Sequence, residues 1–181
     1  MDSKISIRDE AELVMAVRDY SCEKRGKWDD GIDIAAFDQE ANEKILLRIV
    51  TSDHKSGSIG IDAVRKMQSA MESGYYDKGF LFGKRFTDAA RHETTQSGIR
   101  IVSEEHKPHF KPERLYMRIN HYVNTLCKEM CGRIPKEESD CRKNCKVRTI
   151  SDNASYHFEQ GWIKLMKNDL KQLLSMQNSK V

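Results

Sequence analysis

The sequence predicts an α/β fold: a mixed sheet flanked by helices, followed by a helical hairpin with a four-cysteine connection. Three observations point there. Between Ile45 and Ser103, short apolar runs alternate with segments of helical period in the order strand, helix, strand, helix, strand. That order needs crossover connections, and crossovers make parallel pairs. Pro108 and Pro112 then interrupt the chain, and two long amphipathic stripes beyond them flank four closely spaced cysteines. The expected division is an α/β domain over 1–107 and a helical region over 108–181.

In chain order, residues 8–25 read as an amphipathic helix, with Leu13, Val14, Val17 and Tyr20 at helical spacing and no Pro or Gly among them. Gly26 and Trp28-Asp29-Asp30-Gly31 stop it. Ile32–Phe37 and Ile45–Thr51 read as strands joined by a polar loop, hence a hairpin. Ser56-Gly57-Ser58-Ile59-Gly60 leads into a helix over Ile61–Ser73, whose Val64, Met67 and Met71 share a face. Lys78–Gly83 reads as a buried strand. Thr87 is placed to cap a helix running to about Gln96, and Gly98 precedes a strand at Ile99–Ser103. The last two helices run from Glu113 to about Met130 and from about Ser155 to Met176. Leu115, Ile119, Tyr122, Leu126 and Met130 stripe the first; Phe158, Trp162, Leu165, Leu170 and Leu173 stripe the second.

With 33% charged and 38% hydrophobic residues in 181, the composition suits a folded protein of a reducing, cytoplasmic compartment. No apolar run reaches the length of a membrane span, and residues 1–20 lack a signal-peptide core. A net charge of +3 does not by itself require a polyanionic partner. Local clusters do more: Lys84-Arg85 and Arg142-Lys143 with Lys146 and Arg148 are either solvated surface or phosphate contacts.

Several fragments carry a likeness when taken in order. Gly31-Ile32-Asp33-Ile34 places an acidic residue at the start of a strand. Ser58-Ile59-Gly60-Ile61-Asp62-Ala63-Val64-Arg65 forms a loop and helix start. Gly79-Phe80-Leu81-Phe82 with Phe86-Thr87 and Ala89-Ala90, then Gly98-Ile99-Arg100-Ile101-Val102, forms a strand–helix–strand unit. Over residues 8–105 this order resembles the Mrr-like branch of the restriction-endonuclease fold, the PD-(D/E)xK nucleases.

The resemblance implies a DNA partner. It also implies a magnesium site built from two acidic groups, with a lysine beside the attacking water. Phosphodiester hydrolysis needs hard oxygen ligands on the metal and positive charge near the scissile phosphate. Asp33 matches the first acidic position. The next strand, Ile45-Leu46-Leu47-Arg48-Ile49-Val50, carries Arg48 and Val50 where the pattern has an acid or glutamine and a lysine. A guanidinium has no acceptor and cannot hold a metal.

Two outcomes stay open. Catalysis is lost, and Arg48 either grips a phosphate bidentately or pairs with Asp33. Alternatively, the chain is a magnesium-dependent endonuclease in which Asp33 works with a migrated partner, drawn from Glu12, Lys55, Arg65 or Lys66. Each of those four is otherwise ordinary surface charge, and Asp33 itself has the alternative of bonding local turn amides.

Cys127-x3-Cys131-x9-Cys141-x3-Cys145 is the second signal. Two cysteines four apart on a helix lie one turn apart on one face. Four thiolates satisfy a structural zinc or an iron–sulfur cluster; disulfides or free thiols are the alternatives. Cys22 is expected as a small buried residue. The function class that follows is a DNA-associated protein on a nuclease scaffold, with contacts expected from Arg48, Lys84, Arg85, Arg142 and Lys143. A different class remains open as well, a module whose C-terminal helices bind a protein partner or a second copy.

Overall fold

The structure is a computed structural model that describes residues 6–28, 30–51, 57–103, 111–132, 134 and 145–179. The chain separates into two compact units, Met1–His109 and Phe110–Val181.

The first unit opens with α1 (Ile7–Arg18), started by a capping box in which Ser6 and Asp9 exchange side chain-to-backbone hydrogen bonds of 3.2 and 3.3 Å. It does not run to residue 25 as its sequence period implied. Asp19 takes a left-handed conformation (φ 60°) and closes the helix, and Ser21–Trp28 is a strand, β1. Strand β2 (Gly31–Asp38) and strand β3 (Glu43–Val50) form the expected hairpin, and the Asp38 carboxylate accepts from the Glu40 and Ala41 amides in its turn. Then follow α2 (Ile61–Gly74), β4 (Lys78–Gly83), α3 (Asp88–Thr94) and β5 (Ile99–Ser103).

The five strands form one sheet in the order β1-β2-β3-β4-β5. β1–β2 and β2–β3 are antiparallel, whereas β3–β4 and β4–β5 are parallel and bridged by α2 and α3. The mixed sheet is therefore as expected, with one more strand. β1 is exposed along most of its length, as befits a charged edge strand. Cys22 lies on it and is exposed, not buried, because the helix that would have buried it ends earlier.

Helices cover both faces. Leu46, Val50 and Leu81 pack with Val64, Met67 and Met71 of α2 and with Ala90 of α3. Alternation sends their neighbours the other way: Ile34, Leu47, Ile49, Phe80 and Phe82 are all under 4% exposed on the face that α1 covers. Arg18 sits over the Phe80 ring there, and Tyr20 packs 6.3 Å from it. Gly79 makes the α2 contact possible, since a Cβ would fall 2.6 Å from both Met67 Cε and Met71 Sδ.

The second unit contains α4 (Pro112–Cys131), α5 (Lys146–Glu159) and α6 (Ile163–Asn178), each packed on the other two. The expected second helix is two helices. Gly161, at φ 69°, breaks it, and the chain re-enters a helix behind Trp162. Trp162 is accordingly 45% exposed instead of packed in a stripe. Tyr116 stacks on Phe158 at 4.5 Å, near the start of α4 and the end of α5, so the two helices run antiparallel.

Candidate functional site

Asp33 on β2 and Arg48 on β3 are direct partners in the antiparallel register, so their side chains leave the sheet on the same face. Arg48 Nε donates to Asp33 Oδ1 at 2.8 Å and Nη2 donates to Oδ2 at 2.7 Å. Both carboxylate oxygens are engaged by one planar fork. The Trp28 indole lies 4.2 Å from the Arg48 guanidinium carbon, close enough for a cation–π contact. Gly31 admits this arrangement: a Cβ there would sit 1.8 Å from the Ile49 carbonyl oxygen and 3.0 Å from Trp28 Nε1. Val50, two positions along the same face, is 4% exposed and packed in the α2-side core.

Of the two fates open to Arg48, the structure has it paired with Asp33. The Arg48 side chain is only 7% exposed and the Asp33 side chain 25%, so water reaches the pair from the carboxylate side.

The migrated-partner candidates are spread over three places. Glu12 is bound by Arg25 of β1, through Nη1 to Oε1 and through Nη2 to Oε2 at 3.0 Å. That hydrogen bond, more than any other cause, raises the Arg25 guanidinium above its ordinary value. Arg25 opposes Ile34, so it lies on the α1 face, whereas Asp33 lies on the α2 face. The expectation that Glu12 joins Asp33 is thereby corrected: the sheet stands between them. Lys66 reaches Asp30 at 3.5 Å, and Arg65 reaches Glu93 at 3.6 Å. Lys55 lies outside the described residues.

Among the expected phosphate contacts, Lys84 and Arg85 are exposed in the turn after β4, and Arg142 and Lys143 lie outside the described residues. Of the cysteine set, Cys127 is buried, Cys131 exposed and Cys145 intermediate, all as free thiols; Cys141 lies outside the described residues. Antiparallel packing brings the end of α4, with Cys127 and Cys131, to the same end of the unit as Cys145, which caps α5. Among the described residues, no three or more His, Cys, Asp or Glu side chains converge as metal ligands.

A model of the restriction endonuclease family Mrr_cat matches residues 10–106, more than half the chain, and spans α1 through β5. The chain belongs to that family. Two solved structures are similar to it at low identity. "Structure of EndoMS in apo form" is 17% identical, with 57% of this chain and 48% of that chain covered and a TM-score of 0.41. "Structure of EndoMS-dsDNA2 complex" is 20% identical, with 56% and 46% covered and a TM-score of 0.38. The aligned region spans about half the length of those structures. No curated protein matches by sequence.

Within the family's pattern, the first acidic residue is present and the second position carries its counter-ion. Among the described residues the donor set does not suit magnesium: Asp33 has both oxygens hydrogen-bonded to Arg48, and Val50 brings no polar atom. Three features were missed by sequence reasoning. Trp28 was read only as a turn residue, and nothing in its neighbours marks it as the lid of an arginine. The His157–Asp169 pair, at 2.7 Å between α5 and α6, depends on the break at Gly161. The third is a basic cavity on the α1 face, visible only once β1 is known to be a strand.

Proposed function

We propose that this chain is a DNA-associated protein on a restriction-endonuclease scaffold that binds nucleic acid without cutting it at the family's catalytic position. The observation that carries this reading is the bidentate Arg48–Asp33 pair. It neutralises the one acidic group present in the pattern and sets a fixed cation beside it. Binding then rests on phosphate contacts from exposed cations such as Lys84 and Arg85, with Arg142 and Lys143 as further candidates. Membership of a restriction endonuclease family supports DNA as the polyanion to try. The double-stranded DNA of the EndoMS complex is a property of that protein.

The test is a duplex titration at two salt concentrations, with and without Mg²⁺, resolved so that cleavage products would be seen. Retardation that weakens with salt, with intact DNA throughout and no loss in Asp33→Ala, is the expected result. Mg²⁺-dependent fragments abolished by Asp33→Ala would establish the alternative, an endonuclease with a migrated partner, for which Lys55, Arg65 and Lys66 are the remaining candidates.

The finer reading of the second unit is a structural zinc held by Cys127, Cys131, Cys141 and Cys145, with an iron–sulfur cluster as the competing occupant. Its support is that the described three gather toward one end of an antiparallel helix pair. Four thiolates would leave no open position, so such a zinc would hold α4 to α5 and do no chemistry. Metal analysis of the purified protein decides it: one zinc per chain lost in Cys131→Ser is expected, whereas a metal-free, fully titratable set of thiols would overturn it. A protein partner or a second copy is the other reading for this unit, favoured by Tyr156 and Trp162, which stand 53% and 45% exposed with their rings 5.5 Å apart.

A further inference from the structure

On the sheet face opposite the Asp33–Arg48 pair, a cavity of about 400 Å³ lies between α1 and the β1–β2–β3 end of the sheet. Its floor is the half-buried Ile32 of β2, with Ile34 and Ile49 closing the cavity behind it at 0% and 1% exposed. Its cations are Arg8 from α1 and Arg25 and Lys27 from β1. The three share one face by register: Arg25 opposes Ile34 and Lys27 opposes Ile32, while Arg8 stands one turn before Glu12 on its helix.

Glu12 engages Arg25, leaving a net of two positive charges. Arg8 and Lys27 are exposed and make no hydrogen bond or ion pair among the described residues. A hydrophobic floor with unpaired cations above it is an unusual combination. The apolar floor would repel a bare inorganic anion, and the cations would not serve a neutral hydrophobe. The complement is one molecule with a flat apolar body and an anionic group.

We propose that this cavity is a nucleotide site, holding a base against Ile32 and its phosphate between Arg8 and Lys27. The volume is near the lower end for small-molecule sites and suits one nucleotide, not a duplex. The base can come from a free nucleotide or from an unpaired position in a strand; both present the same chemistry. Apolar contact with a base face is tolerant of sequence, and the phosphate contacts make affinity fall with salt. The strand form rests on the nucleic-acid reading above, while the free-nucleotide form does not.

The experiment uses the full chain, native and Arg8→Ala/Lys27→Ala, with dAMP, a short oligo-dT strand and a blunt duplex as probes. Both substituted residues are exposed, so a thermal melt should find the variant folded; Ile32→Glu is a second variant that closes the floor without removing a cation. Native protein is expected to bind oligo-dT, with dAMP as competitor. The double variant should lose about tenfold in affinity and flatten the salt dependence by about 0.7 logarithmic units per decade, the share of one phosphate on a single strand. Duplex binding should survive.

Loss of duplex and single-strand binding in equal measure, without competition by dAMP, would overturn the site and leave these cations as general phosphate contacts. An oligo-glutamate that competes as well as dAMP would overturn it in favour of an acidic peptide. Native protein that binds dAMP but no DNA would keep the site and sink the DNA reading. Native protein that binds duplex but neither dAMP nor oligo-dT would do the reverse.

Discussion

Arg48 reaches across the β2–β3 hairpin to Asp33 with two parallel hydrogen bonds, roofed by the Trp28 ring. The partners stand on directly opposed positions of an antiparallel ladder, where opposite charges help and like charges hurt. Because the arginine is the more deeply buried member, removing its partner strands a cation in the sheet face.

Asp33→Ala is therefore expected to cost about 3 kcal/mol in urea unfolding, the low end for a broken buried pair because the carboxylate keeps a quarter of its surface in water. The double variant Asp33→Leu/Arg48→Met should recover to within about 1 kcal/mol of native, as apolar replacements of ion pairs do. A single variant that matches native stability would show the pair to be a solvated surface bridge.

The Glu12–Arg25 pair should behave otherwise. Its side chains are 38% and 50% exposed. Glu12→Gln is expected to change stability by no more than about 0.5 kcal/mol, and less at high salt. A loss several times larger would mean that the bridge anchors α1 to the edge strand.

Two glycines separate rigid from yielding neighbours. At Gly31 an added methyl meets a backbone carbonyl at 1.8 Å, so Gly31→Ala should cost about 3 kcal/mol and displace Trp28, with a change in tryptophan fluorescence. At Gly79 it crowds the tips of Met67 and Met71, which can move, and touches Ile99 at 3.4 Å, so Gly79→Ala should cost about 1 kcal/mol. Equal costs would contradict this distinction.

Asp169, 3% exposed midway along α6, has its carboxyl raised above the ordinary value chiefly by desolvation, with the His157 hydrogen bond opposing. A raised carboxyl means that the folded state holds the proton more tightly than the unfolded chain. Its contribution to stability is thus lost as pH rises from the ordinary carboxylate range through the raised value. Asp169→Asn lacks this slope, so relative to native it should gain ground as pH rises from acid toward neutral. Urea midpoints at three pH values check the sign; a variant that loses ground instead would place the stabilisation in the ionised Asp169–His157 pair.

Much of this was legible in the sequence, for reasons specific to each element. The hairpin, α2, β4, α3 and β5 announce themselves because each buries one face and shows the matching period. β1 did not, because an exposed edge strand has no face to bury and Cys22–Lys27 continues the charged pattern of α1. That single error hid the cavity and the Arg25 partner of Glu12, since the side of the sheet on which Arg25 falls follows from strand register. The Arg48–Asp33 pair was readable because a hairpin's register is set by its turn. The break at Gly161 was visible as a residue but not as a helix end, since a lone glycine inside a helical pattern is tolerated.

The exchange at positions 48 and 50 also constrains how this chain can change by descent. A carboxylate at 48 alone would confront Asp33 across the hairpin as a like-charged pair. A lysine at 50 alone would enter a position 4% exposed and packed among apolar side chains against α2. Each single step is worse than either endpoint, although both together would rebuild the family's pattern. The arrangement resists change one residue at a time: from Arg48 and Val50, the acid-and-lysine pattern of the resemblance lies two substitutions away, and the first of them is opposed by the neighbours already in place.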